Sequence, residues 1–207
     1  LPAPEKQRIR TEAALLQEGE AWRKAQAAAI RERIKELHEQ LGIRPPVYVL
    51  VTKCDLLAGF IEYFDSLSRE ERAQVWGVTF PLTENGQAGA ADSALASFPE
   101  EFRLLEQQLQ ARVLARMQGE RDGHKRALIY SFPQQFAGVG EVLQGFLKDV
   151  FESNRYEQPG LLRGVYFSSG TQEGSPLDRV MSAMAASFGL DGQVLPPNGA
   201  TGRSYFL

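Results

Sequence analysis

The sequence predicts an α/β protein in which helices flank a mostly parallel sheet. Two apolar runs rich in β-branched and aromatic residues, 47–51 (VYVLV) and 161–170 (LLRGVYFSSG), are typical of strands. The first run has no polar alternation, which predicts a strand covered on both faces, as in a parallel sheet. Stretches with helical periodicity lie between the predicted strands, and this alternation favours an open, mostly parallel sheet.

Four regions follow from patterning and composition. Residues 5–41 predict one long helix, because Ile30, Ile34, Leu37 and Leu41 form an apolar stripe and Pro45 follows closely. We expect region 1–41 to be this amphipathic helix and regions 42–82 and 126–190 to form the α/β core. Region 83–125 is expected to be a loop plus a helical extension, and region 191–207 a tail rich in Gly and Pro.

Further elements are predicted within these regions. Residues 75–82 (VWGVTFPL) and 126–132 (RALIYSF) predict strands, 83–97 a surface loop, and the closing SYFL another strand. Ser68 with Glu71, and Ser97 with Glu100, are spaced as capping boxes that begin helices. A helix is expected to start near 131–134, and another at 175–178.

Composition excludes several classes of protein. The net charge of the 207 residues is −3, which gives no general attraction to nucleic acid. One cysteine and two histidines make neither an internal disulfide nor a structural zinc site. No apolar run approaches the roughly 18 residues that span a bilayer. Because Leu1 rather than Met begins the chain, we expect a segment of a longer polypeptide.

Polar residues follow two predicted strands at the sheet edge where α/β proteins bind ligands. The carboxylate of an aspartate after the first strand can accept two parallel N–H bonds, as guanine offers, and a lysine stem can cover the purine face. Backbone N–H groups of the Ser-Ser-Gly turn could hold the carbonyl oxygen of the base. The candidate base-binding residues are Thr52, Lys53, Asp55, Ser168 and Ser169.

These residues resemble the base-recognition pair of GTP-binding proteins, written [NT]-K-x-D and S-A-[KL]. The resemblance implies a partial P-loop-NTPase-like fold; here the motifs read TKCD and SSG, with Thr in place of the commoner Asn. The alternative is a solvated turn in which Asp55 caps a nearby backbone N–H and Lys53 points outward. No phosphate loop G-x-x-x-x-G-K-[ST] occurs in the chain, so this segment is predicted not to hydrolyse nucleotide.

No catalytic or metal-binding residues are predicted. The lone Cys54 lacks a nearby histidine in the sequence, since His38 lies in a charged helix and His124 in a Gly/Asp turn. We therefore interpret the cysteine as incidental to function.

A longer resemblance covers most of residues 30–207. Four stretches are similar to the cytoplasmic domain of the TssM-type, IcmF-related inner-membrane proteins of bacterial type VI secretion: GIRPPVYVLVTKCDLLAGFIEYFDSLSREERAQVWGVTFPL, RALIYSFPQQFAGV, LLRGVYFSSGTQEGSPLDRVM and GRSYFL. The resemblance implies the back half of an NTPase-like domain at the cytoplasmic face of the inner membrane. It implies TssL and TssJ as partners in the membrane complex, and the baseplate proteins TssK and TssG as cytoplasmic contacts.

Three functions remain open at this stage. The chain could be a docking and assembly module on an NTPase-like scaffold. It could be a switch that binds GTP or ATP, if the full-length domain has an upstream phosphate loop. It could also be an α/β domain without a ligand. The family resemblance favours assembly.

Overall fold

The structure is a computed structural model that describes residues 3–81, 90–153, 160–170 and 204–206. Its helices are α1 (Ala3–Leu41), α2 (Phe60–Phe64), α3 (Arg69–Arg72), α4 (Ala90–Gly119) and α5 (Gly123–Phe151), and a 3₁₀ turn spans Cys54–Leu56. The strands are β1 (Pro46–Val51), β2 (Gly77–Thr79) and β3 (Leu161–Phe167), arranged in the order β1-β3-β2.

The sheet combines one parallel pair with one antiparallel pair. β1 runs parallel to β3, with Val51 opposite Phe167, whereas β2 runs antiparallel to β3, with Val78 opposite Val165. The α/β class is confirmed, and so is the parallel pairing of the two strongest predicted strands. Within the described residues the sheet is mixed rather than mostly parallel.

A β-bulge interrupts the pairing of β1 with β3. Val47 lies opposite Leu162 while Tyr48 lies opposite Gly164, so Arg163 is the extra residue. The Arg163 side chain donates to the carbonyl of Phe80, whose own N–H donates to the Arg163 carbonyl at 2.9 Å. Through these two hydrogen bonds the bulge residue holds Phe80, the residue that directly follows β2.

The two faces of β1 differ in burial, which contradicts the prediction of a strand covered on both sides. Val47, Val49 and Val51 are half-buried and pack against the core, but Tyr48 and Leu50 are 55% and 58% exposed. The Tyr48 ring stacks on Tyr166 at a centroid distance of 6.2 Å. This outer face, defined by Tyr48, Leu50 and Tyr166, carries large apolar side chains in contact with water.

Helices pack on the inner face of the sheet, where the core lies. α4 contacts β2 and β3, α5 contacts α1, α2 and α4, and aromatic rings fill the space between them. Gly140 permits the close approach of α5 to α4, because a Cβ there would lie 2.4 Å from the Phe102 ring. The central aromatic residues are Phe60, Tyr63, Phe64, Trp76, Phe102, Phe132, Phe136 and Phe167.

The predicted strand at 126–132 is wrong, because these residues lie inside α5. The helix begins earlier, where the Asp122 carboxylate accepts from the N–H groups of His124 and Lys125. Ile129 and Phe132 are almost completely buried, so tertiary packing overrides their preference for strands. Pro133, expected near the start of a helix, lies in the interior of α5.

Two predicted features around α4 are also wrong. Residues 90–97 of the predicted loop are helical, while residues 82–89 lie outside the described residues. Ser97 does not begin a helix, since its hydroxyl donates to the Ala94 carbonyl at 3.2 Å within α4. The helix predicted at 175–178 lies outside the described residues as well.

Other local predictions are confirmed. The long first helix ends at Leu41 and is followed by Gly42 with a φ of 64°. Ser68 and Glu71 form a complete capping box at the start of α3. Both features are fixed by residues close together in the sequence, which is why the pattern predicts them.

Candidate ligand site at the strand ends

The carboxyl ends of β1 and β3 lie side by side and are joined by two backbone hydrogen bonds. The Ser168 N–H donates to the Val51 carbonyl at 2.9 Å, and the Cys54 N–H donates to the Ser168 carbonyl at 3.2 Å. The turn after β1 and the turn after β3 are therefore continuous with the sheet. The two predicted site segments, TKCD and SSG, therefore lie next to each other, as parallel pairing of their strands requires.

Asp55 and Ser169 are in direct contact. The Ser169 hydroxyl donates to Oδ1 of Asp55, and Ser169 is fully buried whereas Asp55 is half-buried. A buried donor fixes the orientation of the carboxylate. Within the described part of the chain no residue donates to Oδ2.

Thr52 and Lys53 are exposed at the same edge of the sheet. Lys53 adopts a left-handed conformation with φ 61° and ψ 34°, which is uncommon for a residue other than glycine. This conformation turns the chain sharply between β1 and the 3₁₀ turn that contains Asp55. The structure thus brings both predicted site segments, TKCD and SSG, to one edge of the sheet.

The expected role of the Ser-Ser-Gly backbone is only partly available. The Ser168 N–H is bonded to Val51, and the Ser169 N–H donates to the Tyr205 carbonyl at 2.9 Å. The prediction that these two N–H groups are exposed is therefore wrong, because β-pairing uses both. Among the hydrogen bonds of the described residues, none uses the N–H of Gly170.

Cys54 begins the 3₁₀ turn after β1, and its thiol is poorly reactive. Its thiol is buried and donates to the Val51 carbonyl at 3.4 Å. Burial raises the pKa of the Cys54 thiol to about 12, so the thiolate needed for nucleophilic or metal chemistry does not form at neutral pH. In the described residues no group of three or more His, Cys, Asp or Glu side chains could hold a metal ion.

Sequence reasoning missed the residue that lies behind the site. Tyr205 pairs with Ser169 through two backbone hydrogen bonds, of 2.9 and 2.8 Å, and its ring is buried. The only signal in the sequence was the apolar SYFL ending, which predicted a further strand but not the residue it pairs with. The pairing here is an isolated antiparallel bridge between Ser169 and Tyr205.

The class of protein follows from comparison of the sequence with known families. The profile of the IcmF-related N-terminal domain matches residues 12–207, and the chain belongs to this family. The family assignment agrees with the resemblance noted for the strand and loop motifs.

A curated relative identifies the particular kind of protein. The chain is 56% identical over 193 residues to the "Type VI secretion system component TssM1" of Pseudomonas aeruginosa. The match covers 93% of this chain and 17% of the relative, so the chain spans about a sixth of the relative's length. No solved structure matches the chain. In the described residues, no helix is both long and apolar enough to cross a membrane.

Proposed function

We propose that this chain is a docking and assembly module of the type VI secretion membrane complex, built on an NTPase-like α/β scaffold. Membership of the IcmF-related family and the identity to a secretion component support the proposal. In this proposal the domain lies at the cytoplasmic face of the bacterial inner membrane, as the family resemblance implies.

The observation that carries the proposal is the open side of β1. The strand lies at the edge of the described sheet, and its sequence PVYVLV contains no charged side chain. Soluble proteins normally protect such an edge with charges, a bulge or a covering element, and exposed apolar patches mark interaction surfaces. In the part of the chain that the structure describes, no element covers this edge, and Tyr48 and Leu50 present an apolar face to which another protein segment could bind.

The partners proposed for this surface are the other secretion proteins. TssL and TssJ share the membrane complex, and the baseplate proteins TssK and TssG are the cytoplasmic candidates. A net charge of −3 provides no electrostatic support for nucleic acid as a partner.

The docking proposal is tested by Leu50→Lys in the full-length protein. A charge on the outer face should abolish co-purification of one or more of TssL, TssK and TssG while leaving the isolated domain folded. Val75→Lys is the matched control, because Val75 is 78% exposed but lies outside the three strands and is not one of the residues that define the outer face. Retention of every partner by Leu50→Lys would remove this surface from the proposal.

A second candidate function is recognition of a nucleotide base by Thr52, Lys53, Asp55, Ser168 and Ser169. The contact of Ser169 with Asp55 favours it, because it holds the carboxylate in place and no described residue donates to the second oxygen. GTP or ATP would then be bound by the full-length domain, with the phosphates held by residues outside this chain. In that case occupancy of the site would regulate assembly of the complex.

Thermal unfolding of the full-length cytoplasmic domain tests the second candidate. A nucleotide present at 100 times its Kd should stabilise the domain by about 2.7 kcal/mol. Asp55→Asn should reduce the preference for GTP over ATP, because the amide loses the negative charge and brings an N–H donor where the carboxylate only accepts hydrogen bonds. Superimposable curves with millimolar GTP, GDP and ATP would exclude base recognition and leave the docking function.

A further inference from the structure

The segment Ser204–Phe206 is seated in the fold next to the candidate site. The Tyr205 N–H donates to the Ser169 carbonyl at 2.8 Å, and the Ser169 N–H donates back to the Tyr205 carbonyl at 2.9 Å. Tyr205 is 1% exposed and Ser169 is fully buried. Departure of the segment would remove the backbone partners of both the N–H and the carbonyl of Ser169.

The ring of Tyr205, rather than its hydroxyl, anchors the segment. The ring packs edge-on against Phe60 at a centroid distance of 5.4 Å, and the Arg72 guanidinium lies over it at 5.7 Å. The Phe206 N–H adds a bond to the Arg72 carbonyl at 2.6 Å. The Tyr205 hydroxyl is buried and has no hydrogen-bond partner among the described residues.

Ser169 connects this segment to Asp55. Its backbone pairs with Tyr205, while its hydroxyl donates to the Asp55 carboxylate. A change in the position of the Tyr205 backbone therefore displaces the only described donor to that carboxylate. Conversely, a ligand that fixes Asp55 and Ser169 also favours the paired position of Tyr205.

We propose that Ser204–Phe206 is a positioning segment for Asp55, so that occupancy of the Asp55 site and seating of Tyr205 are thermodynamically coupled through Ser169. The ligand class is a planar ring with adjacent N–H donors, such as a guanine base, and this part rests on the second candidate function. The coupling is reciprocal: whatever pulls Tyr205 out weakens the site, and a bound ligand holds Tyr205 in.

Amide hydrogen exchange in the intact chain tests the coupling without any ligand. The reporter is the Tyr205 N–H, and the reference is the Phe80 N–H, which bonds to Arg163 near the opposite end of β3. Ser169→Ala removes the hydroxyl but keeps the backbone pairing. We expect it to raise the exchange rate of Tyr205 relative to that of Phe80 about tenfold, as loss of one hydrogen bond to a charged group would.

Matched variants separate this effect from general destabilisation. Ser131→Ala removes a hydroxyl that donates to the Leu128 carbonyl within α5, and Tyr205→Phe removes only the unpartnered hydroxyl. Both should leave the ratio of Tyr205 to Phe80 exchange at its wild-type value. A ratio that Ser169→Ala does not change would overturn the proposal, whatever the absolute rates.

Millimolar GDP, added to the full-length domain, separates failure of the coupling from failure of base recognition. Slower exchange of Tyr205 with GDP, lost in Asp55→Asn, supports both. If Ser169→Ala changes the ratio but GDP does not, the coupling stands and base recognition by this site fails. If GDP protects other amides but the ratio is unchanged in Ser169→Ala, the site binds nucleotide and the coupling is wrong.

Discussion

At the level of single residues, Gly59 occupies a position that no other residue type can fill without strain. Its φ is +83°, and a Cβ would lie 2.3 Å from the Leu128 carbonyl oxygen and 3.1 Å from the Phe132 side chain. Glycine here lets the turn after the Asp55 segment lie directly against α5. The turn that follows the site at the strand ends is thus in backbone contact with α5.

Gly59→Ala is expected to destabilise the domain by about 2–4 kcal/mol, because it combines overpacking against a backbone carbonyl with a left-handed alanine. Urea unfolding monitored by tryptophan fluorescence measures the change. Gly19→Ala is the control, since nothing lies within 4 Å of its Cβ and it lies in α1. That change should stabilise by up to about 1 kcal/mol, and equal effects at both positions would contradict the argument.

The residues of the site could be predicted only in part from the sequence. Asp55 and Ser169 each follow a strong apolar run, and parallel pairing of the two runs brings them together. The use of the Ser169 N–H by Tyr205 could not be predicted, because that contact joins distant parts of the chain and leaves no periodic signal. Local patterns report which residues end strands, but not which of their N–H groups remain free.

At the level of elements, α5 shows why strand propensity misleads. The segment RALIYSF is rich in residues that favour strands, yet a cap at Asp122 begins the helix ahead of it. Continuing at helical spacing, Phe136, Leu143 and Leu147 are buried in the core. Summed burial along the helix outweighs a strand preference that is worth about 1 kcal/mol at each residue.

The cap of α5 should make stability depend on acid. Hydrogen bonds from the His124 and Lys125 N–H groups lower the pKa of Asp122 from its ordinary value of 3.8. Because the folded pKa is the lower one, the stabilisation is complete above pH 3.8 and is lost as the pH falls through the depressed value. Asp122→Asn keeps a capping side chain but has no group that titrates. Its free energy of unfolding should therefore vary less than that of the wild type between about pH 5 and about pH 2, a range that brackets the ordinary pKa of an aspartate.

Urea midpoints measured across that range, for wild type and Asp122→Asn, check the prediction. Glu71 also has a lowered pKa, because the backbone N–H of Ser68 donates to its carboxylate and the Ser68 side chain adds a smaller effect in the same direction. It titrates identically in both proteins, so the difference between them isolates Asp122. Parallel curves would show that the Asp122 cap contributes no pH dependence.

A second element-level contact fixes α1 on α5. The Arg31 side chain donates to the Val150 carbonyl at 3.2 Å and to the Glu152 carbonyl at 2.6 Å, at the C-terminal end of α5. These acceptors lack partners within their own helix, and a cation is favoured at this end of the helix dipole. The arginine therefore caps one helix from another.

Arg31→Met should cost about 1–2 kcal/mol, because it leaves these carbonyls without the charged donor. Arg33→Met on the same helix is the comparison, since Arg33 pairs with Glu36 only one turn away and is exposed. That exposed pair should contribute less than about 0.5 kcal/mol. Guanidinium denaturation of the two variants gives the difference, and a larger loss for Arg33→Met would refute the capping role.

At the level of the whole molecule, the described core lies on one side of a three-stranded sheet. Phe136 is fully buried and stacks on Trp76 at 4.9 Å and on Phe102 at 4.7 Å, whereas Leu50 on the outer face is 58% exposed. Folding stability therefore resides on the helical side of the sheet. Mutations on the two sides of the sheet should differ in their effect on stability.

Phe136→Ala should destabilise the domain by about 3–5 kcal/mol, the usual cost of removing a buried aromatic ring. Leu50→Ala should change stability by less than about 0.5 kcal/mol, because its side chain is largely in water already. Chemical denaturation measures both. A loss of more than about 1.5 kcal/mol for Leu50→Ala would mean that the outer face is part of the folded core.

The aromatic cluster around Phe60 is completed by a ring from the distant Tyr205. A ribosome adding about 5–20 residues per second needs roughly 7 to 30 seconds to travel between the two codons. Until Tyr205 is synthesised the aromatic cluster is incomplete. Its exposed apolar surface can then bind chaperones or other partly synthesised chains. Slower translation across the intervening codons should lengthen this vulnerable period.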